Sequence, residues 1–160
     1  MEKEYFTRMA EMYLNDVIRV AYSICHNKCD SEDIAQTVFE DLYCSEQTFE
    51  NDEHVKKWLI KVAVNKSMSL MRTPWKRKVD MNLPECMKKE TIRPHNEKLL
   101  RAMGRIKPKY RTLIYLFYYD EMDIKEIAQT LKMSENAVKT GLCRARKALK
   151  KKMEGDNENE

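Results

Sequence analysis

The sequence predicts an all-α fold: two small helical domains joined by a flexible linker, the C-terminal one containing a helix-turn-helix. Three observations carry this. Glycine and proline are scarce, at 3 and 4 in 160 residues. Apolar residues recur three or four positions apart over long segments, whereas two-residue alternation is hard to find. One stretch, "TPWKRKVDMNLPECMKKETIRPHNE", holds three of the four prolines and has no sustained period, so it reads as a connection between two helical units.

Residues 2–27 read as one long helix with Phe6, Met9, Tyr13, Val17, Ala21 and Ile24 along one face, ended by Asn27 and Lys28. "DSED" then predicts an N-cap at Asp30 with Asp33 at the third helical position. The helix it opens runs to about Cys44 and turns Ile34, Val38 and Leu42 inward. After the polar loop "SEQTFENDE", a third helix from about Glu53 to Arg72 carries Val55, Leu59, Val62 and Ala63 inward, with Trp58 read as core. Lys57, Lys61 and Asn65 recur at i, i+4 and i+8 on another face. This gives an N-terminal domain over 1–72, a linker over 73–95, a C-terminal domain over 96–153 and an acidic tail, "EGDNENE", over 154–160. The tail is expected to be disordered, with Gly155 ending the last helix.

Four helices are predicted after Pro94. One spans about 96–106 with Leu99, Leu100, Met103 and Ile106 apolar, and a second follows Pro108 with Leu113, Ile114, Leu116 and Phe117. The third opens at "DIKE", where Asp123 caps and Glu126 closes the box. The fourth, "MSENAVKTGLCRARKALKKK", is capped by Ser134 and carries a stripe of Val138, Leu142, Ala145 and Leu149. Only about three residues, Lys132 to Ser134, join the last two, which is the helix-turn-helix arrangement. Such joints often hold glycine, so a left-handed Lys132 would cost about 1 kcal/mol.

Charge divides the chain. Residues 1–72 hold 9 Lys/Arg against 13 Asp/Glu, whereas residues 96–160 hold 15 against 10. A basic C-terminal half suits nucleic acid, and an acidic N-terminal half suits a protein partner. The last helix sharpens the point. Cations near its C-terminal end suit the helix dipole, but Lys139 and Arg144 in its earlier turns gain nothing from it. An external polyanion explains them, with the Val/Leu/Ala stripe holding the helix from behind.

The remaining features narrow the function. The five cysteines (Cys25, Cys29, Cys44, Cys86, Cys143) are odd in number and lack a disulfide rhythm. Cys25, His26 and Cys29 lack a second ligand pair at a zinc spacing, so no metal is expected. No Gly-rich phosphate loop or catalytic triad is present, so neither catalytic residues nor a cofactor is expected and the chain does not read as an enzyme. No apolar run approaches a signal peptide or the roughly 20 residues of a membrane span, so a cytoplasmic protein without membrane insertion is expected.

Three blocks, "DSEDIAQTVFEDLY", "VKKWLIKVAVNKSMSLMR" and "IKPKYRTLIYLFYYDEMDIKEIAQTLKMSENAVKTGLCRARKALKK", resemble in order and spacing the extracytoplasmic-function sigma factors of bacterial RNA polymerase. The resemblance implies an alternative sigma factor that binds core RNA polymerase and directs promoter-specific transcription initiation. Its N-terminal domain would bind the coiled coil of the largest polymerase subunit through Asp33, Gln36 and Phe39 and capture the melted −10 element. Asp33 would otherwise serve as a cap and Phe39 as core. The −10 set would be Asn51, Lys57, Lys61, Asn65 and Lys66, although the loop Glu50 to Glu53 is acidic beside phosphates. The −35 duplex would be read by Asn136, Ala137, Lys139, Thr140, Cys143, Arg144 and Lys147, with Cys143 standing where many relatives carry a bulkier residue. Promoter DNA is the implied ligand, and an anti-sigma factor is a further implied partner. The rival reading is a helix-turn-helix transcriptional regulator that does not bind core polymerase.

Overall fold

The structure is a computed structural model that describes residues 1–73, 79, 82–91 and 94–158, and its regular elements are all helical. Helix α1 (Lys3–Cys25) ends where His26 takes the left-handed conformation and its N–H bonds to the Tyr22 carbonyl. The next residue, Asn27, is extended, and its side chain accepts the Asp30 N–H at 3.0 Å. Helix α2 (Lys28–Cys44) therefore starts earlier than "DSED" suggests. The cap is Asn27, not Asp30. An asparagine fresh out of a left-handed turn is already extended with its amide over the first turn, as a cap requires. Asp33 is left in the second turn, exposed and without a capping role.

Helix α3 (Asp52–Met71) is capped by Asn51, whose side chain accepts the His54 N–H at 2.8 Å. Val55, Leu59, Ile60, Ala63 and Val64 are buried, while Val62 is only partly so. Trp58 is half-buried, edge-on to Phe49 at 5.8 Å. Of the predicted linker, residues 74–78, 80–81 and 92–93 lie outside the described residues. A 3₁₀ turn, Glu85–Thr91, lies beside α1, and the Arg19 guanidinium donates to the Cys86 carbonyl.

Helix α4 is Pro94–Arg105, and α5 (Pro108–Ile114) opens on a proline whose missing N–H costs nothing at that position. It widens into a π-helical turn, Tyr115–Tyr119. Asp123 caps α6 (Ile124–Leu131) by accepting the Glu126 N–H at 2.8 Å. Helix α7 runs Glu135–Glu158, past Gly155. The expected stop there is corrected: no described glycine takes a positive φ, which a C-cap glycine would need.

Met9, Val17, Val20 and Leu59 of the N-terminal lobe and Leu113, Leu116, Ile127, Val138 and Leu142 of the C-terminal lobe belong to one continuous buried cluster. The two lobes are distinct in sequence and share a core in space, with α5 packed on α1 and α3, and α6 packed on α3.

Candidate nucleic-acid interface

Helix α7 is positioned from behind. Val138, Gly141, Leu142 and Ala145 are buried on one side of it. The approach to α5 is close: a Cβ on Gly141 would stand 2.6 Å from Leu113 Cδ1. At its start the Ser134 hydroxyl accepts the Ala137 N–H at 3.1 Å. The turn before it is tight because Lys132 adopts φ 56°, ψ 47°, so that its N–H reaches the Ala128 carbonyl. The left-handed Lys132 expected from the sequence is thus present, with a side chain bearing its strain.

Asn136, Ala137, Lys139, Thr140, Cys143, Arg144 and Lys147 are all exposed. At 100° per residue they fall within roughly 160° of arc, facing away from the buried stripe. Among the described residues no acid pairs with Lys139, Arg144 or Lys147. Arg146 differs. Its Nε donates to the Tyr118 hydroxyl and its guanidinium lies 5.8 Å from the Phe117 ring centre, so it braces the helix on the π-helical turn. The free set offers cations, an amide and a hydroxyl, the groups that bond phosphates and the acceptor-rich edges of major-groove bases.

The N-terminal candidates do not gather on one surface. Lys57 and Lys61 are exposed on the rim of a cleft of about 350 Å³ between the lobes, with Trp58 on their side and Met122, Glu126 and Gln129 on the other. Asn65 and Lys66 line a different groove, between α2 and α3, and Lys66 is paired with Asp41 at 2.8 Å. Nine residues separate Lys57 from Lys66, which puts them on opposite sides of α3. Asn51 is exposed, but its side-chain oxygen is already occupied in capping α3.

The docking candidates also divide. Gln36 and Phe39 line an apolar groove of about 540 Å³ between α1 and α2, with Phe6, Leu14, Ile18 and Tyr43. Phe39 is buried there, edge-on to Phe6 at 6.4 Å, so it forms floor and core at once. Asp33 lies in the α2/α3 groove instead. Leu14 and Tyr43, 41% and 54% exposed, extend the apolar groove and do not stand out in the sequence. Both have the helical spacing that would place them on it.

The lobe interface carries several perturbed groups. Burial pushes Asp120 up to about 6, Lys56 pulling against it and Asp16 adding to it. Burial, then the neighbouring Arg111, holds His26 down at about 4. Burial also pushes the Cys25 thiol up to about 12. Among the described residues no group of His, Cys, Asp and Glu could hold a metal ion, and no helix is long and apolar enough to cross a membrane.

A buried stripe that leaves a free basic face on the second helix of a helix-turn-helix defines a duplex-reading module. Residues 9–77 match the family model of Sigma-70 region 2, and residues 96–149 match that of Sigma-70, region 4. The chain is 28% identical over 137 residues to the RNA polymerase sigma factor SigV of Bacillus subtilis (strain 168), covering 84% of this chain and 82% of that one. It is 26% identical to the ECF RNA polymerase sigma factor SigW of the same organism, over 95% of this chain and 90% of that one. In fold it is similar to the sigma factor RpoE solved in complex with the anti-sigma factor NepR from Bartonella quintana, with TM-score 0.74 at 16% identity over 94% and 98% of the two chains. It is also similar to CnrH in complex with the cytosolic domain of CnrY, with TM-score 0.68 at 21% identity over 97% and 91%. The chain belongs to the sigma-70 family, in its extracytoplasmic-function branch, as an alternative sigma factor that directs promoter-specific transcription.

Proposed function

We propose that α7 reads the −35 duplex through Asn136, Lys139, Thr140, Arg144 and Lys147, and that the α1/α2 groove receives the coiled coil of the largest polymerase subunit. One observation carries the reading: Lys139, Arg144 and Lys147 on the outward side of α7 have no described acid partner while the opposite side of the helix is buried. Ala137 and Cys143 lie on the same face and contribute apolar contact to base edges. On the N-terminal lobe, Lys57 and Lys61 hold the backbone of the melted −10 strand. Asn51, Asn65 and Lys66 are secondary to them, because capping engages one and the other two face a separate groove.

Docking of core polymerase centres on Gln36, Phe39 and the adjoining Leu14 and Tyr43, with Asp33 as an outlying contact. The domains fall at 1–72 and 96–153. The chain acts in the cytoplasm and contributes no chemistry of its own. It is held by an anti-sigma factor, a reading supported by the similar sigma factor RpoE, which was solved bound to the anti-sigma factor NepR. The test mixes purified chain with core polymerase and a promoter library and sequences the transcript starts. Specific starts that vanish with Gln36→Ala and Tyr43→Ala in a folded chain support the docking groove. Specific starts retained at wild-type level by that variant move docking elsewhere. No specific starts with the wild-type chain would instead favour a regulator that does not bind polymerase.

A further inference from the structure

Arg146 stands within about 20° of Lys139 around α7 and roughly 10 Å further along its axis. It therefore borders the exposed arc, on the side nearest Leu142. Its side chain is exposed yet held. Nε donates to the Tyr118 hydroxyl at 2.5 Å, and the guanidinium lies 5.8 Å from the Phe117 ring centre and 5.6 Å from that of Tyr118. Those two rings meet edge to face at 5.0 Å and 82°, forming a corner in which the guanidinium sits. The corner belongs to the π-helical turn Tyr115–Tyr119, which the Asp120 N–H closes on the Tyr115 carbonyl at 3.1 Å. Widened turns of this kind recur at functional sites.

Stability alone does not account for the arrangement. Tyr118 is 55% exposed and Arg146 is exposed as well, and contacts between solvated side chains contribute little once their ordering is counted. The positive charge is also left unanswered: among the described residues no acid pairs with Arg146. What the contact does achieve is orientation. A guanidinium presents a rigid fork of N–H donors. Nε–H is engaged by Tyr118, and the donors on the two Nη atoms remain. A phenol both accepts and donates. The Tyr118 oxygen accepts from Nε, so its own proton remains to be given. Donors of two residues thus stand side by side with a full positive charge. An anion with several oxygens satisfies them, and beside a helix that lies along duplex DNA that anion is a backbone phosphate. A base edge fits less well, because Tyr118 lies off the helix that enters the groove.

We infer that Arg146 and Tyr118 form a phosphate clamp at the flank of the −35 reading face, Tyr118 fixing the guanidinium through Nε and both side chains donating to one backbone phosphate. This rests on α7 being the helix that reads the −35 duplex. A phosphate contact carries no sequence information, but it sets the register in which Lys139 and Arg144 meet the bases. Because the pair is ordered before DNA arrives, the clamp avoids the rotamer entropy that a mobile arginine loses on binding.

The experiment uses the full chain, a duplex carrying the −35 element taken from the transcript-start sequencing, and a scrambled duplex of equal length. Fluorescence anisotropy follows affinity between about 50 and 200 mM salt. Arg146→Ala should weaken binding to both duplexes by roughly five- to tenfold and lower the salt slope by about one. Its thermal melt should match wild type, because neither side chain of the pair is buried. Arg146→Gln keeps more of the side-chain stem, so it covers the case of a helix loosened by alanine, and it should show the same drop in slope. Tyr118→Phe keeps the ring and removes the hydroxyl. It should lower affinity roughly two- to fivefold, with no further loss in the Arg146→Ala background. Weaker binding by the Arg146 variants at an unchanged salt slope overturns the clamp and leaves Arg146 as a brace only. A loss confined to the −35 duplex also overturns it, since a phosphate contact does not distinguish sequences. Full affinity in Tyr118→Phe overturns the paired site. Lys139→Ala and Arg144→Ala are measured alongside. If they weaken duplex binding and the Arg146 variants do not, the clamp is wrong and the reading of α7 stands. If none of these variants weakens it, both fall.

Discussion

The chain carries two basic helix faces, and the fold treats them oppositely. On α7 Lys139, Arg144 and Lys147 stand across from a buried stripe, with no described acid paired to them, because that helix lies at the edge of its lobe with only one side engaged. On α3 the helix runs through the middle of the molecule, packed by α1 and α2 behind and by α5 and α6 in front. Its lysines survive at a cleft rim facing Glu126. A basic face is thus made accessible by the position of its helix, and the same residue pattern stands open in one place and at the rim of a cleft in the other.

The strongest way to break this contrast is to undercut the support of α7. Leu142 is 2% exposed, so Leu142→Ala should cost about 2–5 kcal/mol of stability. A thermal melt should show it, and duplex binding should fall only as far as the helix loosens. Removing a reading cation separates recognition from support: Lys139→Ala or Arg144→Ala should weaken −35 duplex binding by about 1–3 kcal/mol with an unchanged melt. Lys57→Ala in the free chain should leave duplex affinity nearly untouched. Equal losses from the two helices would erase the distinction between an open and a closed face.

The pH response sharpens the interface side. Asp120 is raised to about 6, so its protonated form is the stable partner of the folded state, and its contribution is lost as pH rises through 6. His26 is lowered to about 4, so the folded state holds it neutral, and its contribution is lost as pH falls from 6.5 toward 4. Between pH 4 and 6 the slopes oppose, and wild-type stability should be nearly flat across that range. Asp120→Asn removes one slope. Each pH unit between the folded and unfolded pKa corresponds to about 1.36 kcal/mol, and partial contact of this side chain with solvent reduces the effect. The variant should therefore be more stable than wild type at pH 7 by about 1–2 kcal/mol. Denaturant titrations should then show stability that rises with pH from 4 to 6.5.

The smallest expected effect lies at the helix-turn-helix joint. Lys132→Gly should add about 1 kcal/mol by relieving the left-handed side chain, without altering duplex binding. A loss of stability would mean that the lysine stem packs usefully there.

Periodicity and capping chemistry sufficed for most of the helices, for the Asp123 and Ser134 caps, for the strained Lys132 and for the exposed face of α7 opposite its buried stripe. All of these depend on residues within a turn or two of each other, so local spacing specifies them. The Asn27 cap was equally local, and "DSED" outshone it only because two acids look like a stronger cap than one amide after a histidine. What tertiary structure alone decided depends on pairs distant in sequence. The separation of Lys66 from Lys57 into different grooves and the removal of Asp33 from the Gln36 groove follow from which neighbour each helix side meets. The burial of Arg111 is the clearest case. In "KPKYRTLI" it reads as one more surface cation, because its partner is a carbonyl 87 residues away. Every residue carries a carbonyl, so no side-chain pattern marks the one that awaits a donor at the end of α1.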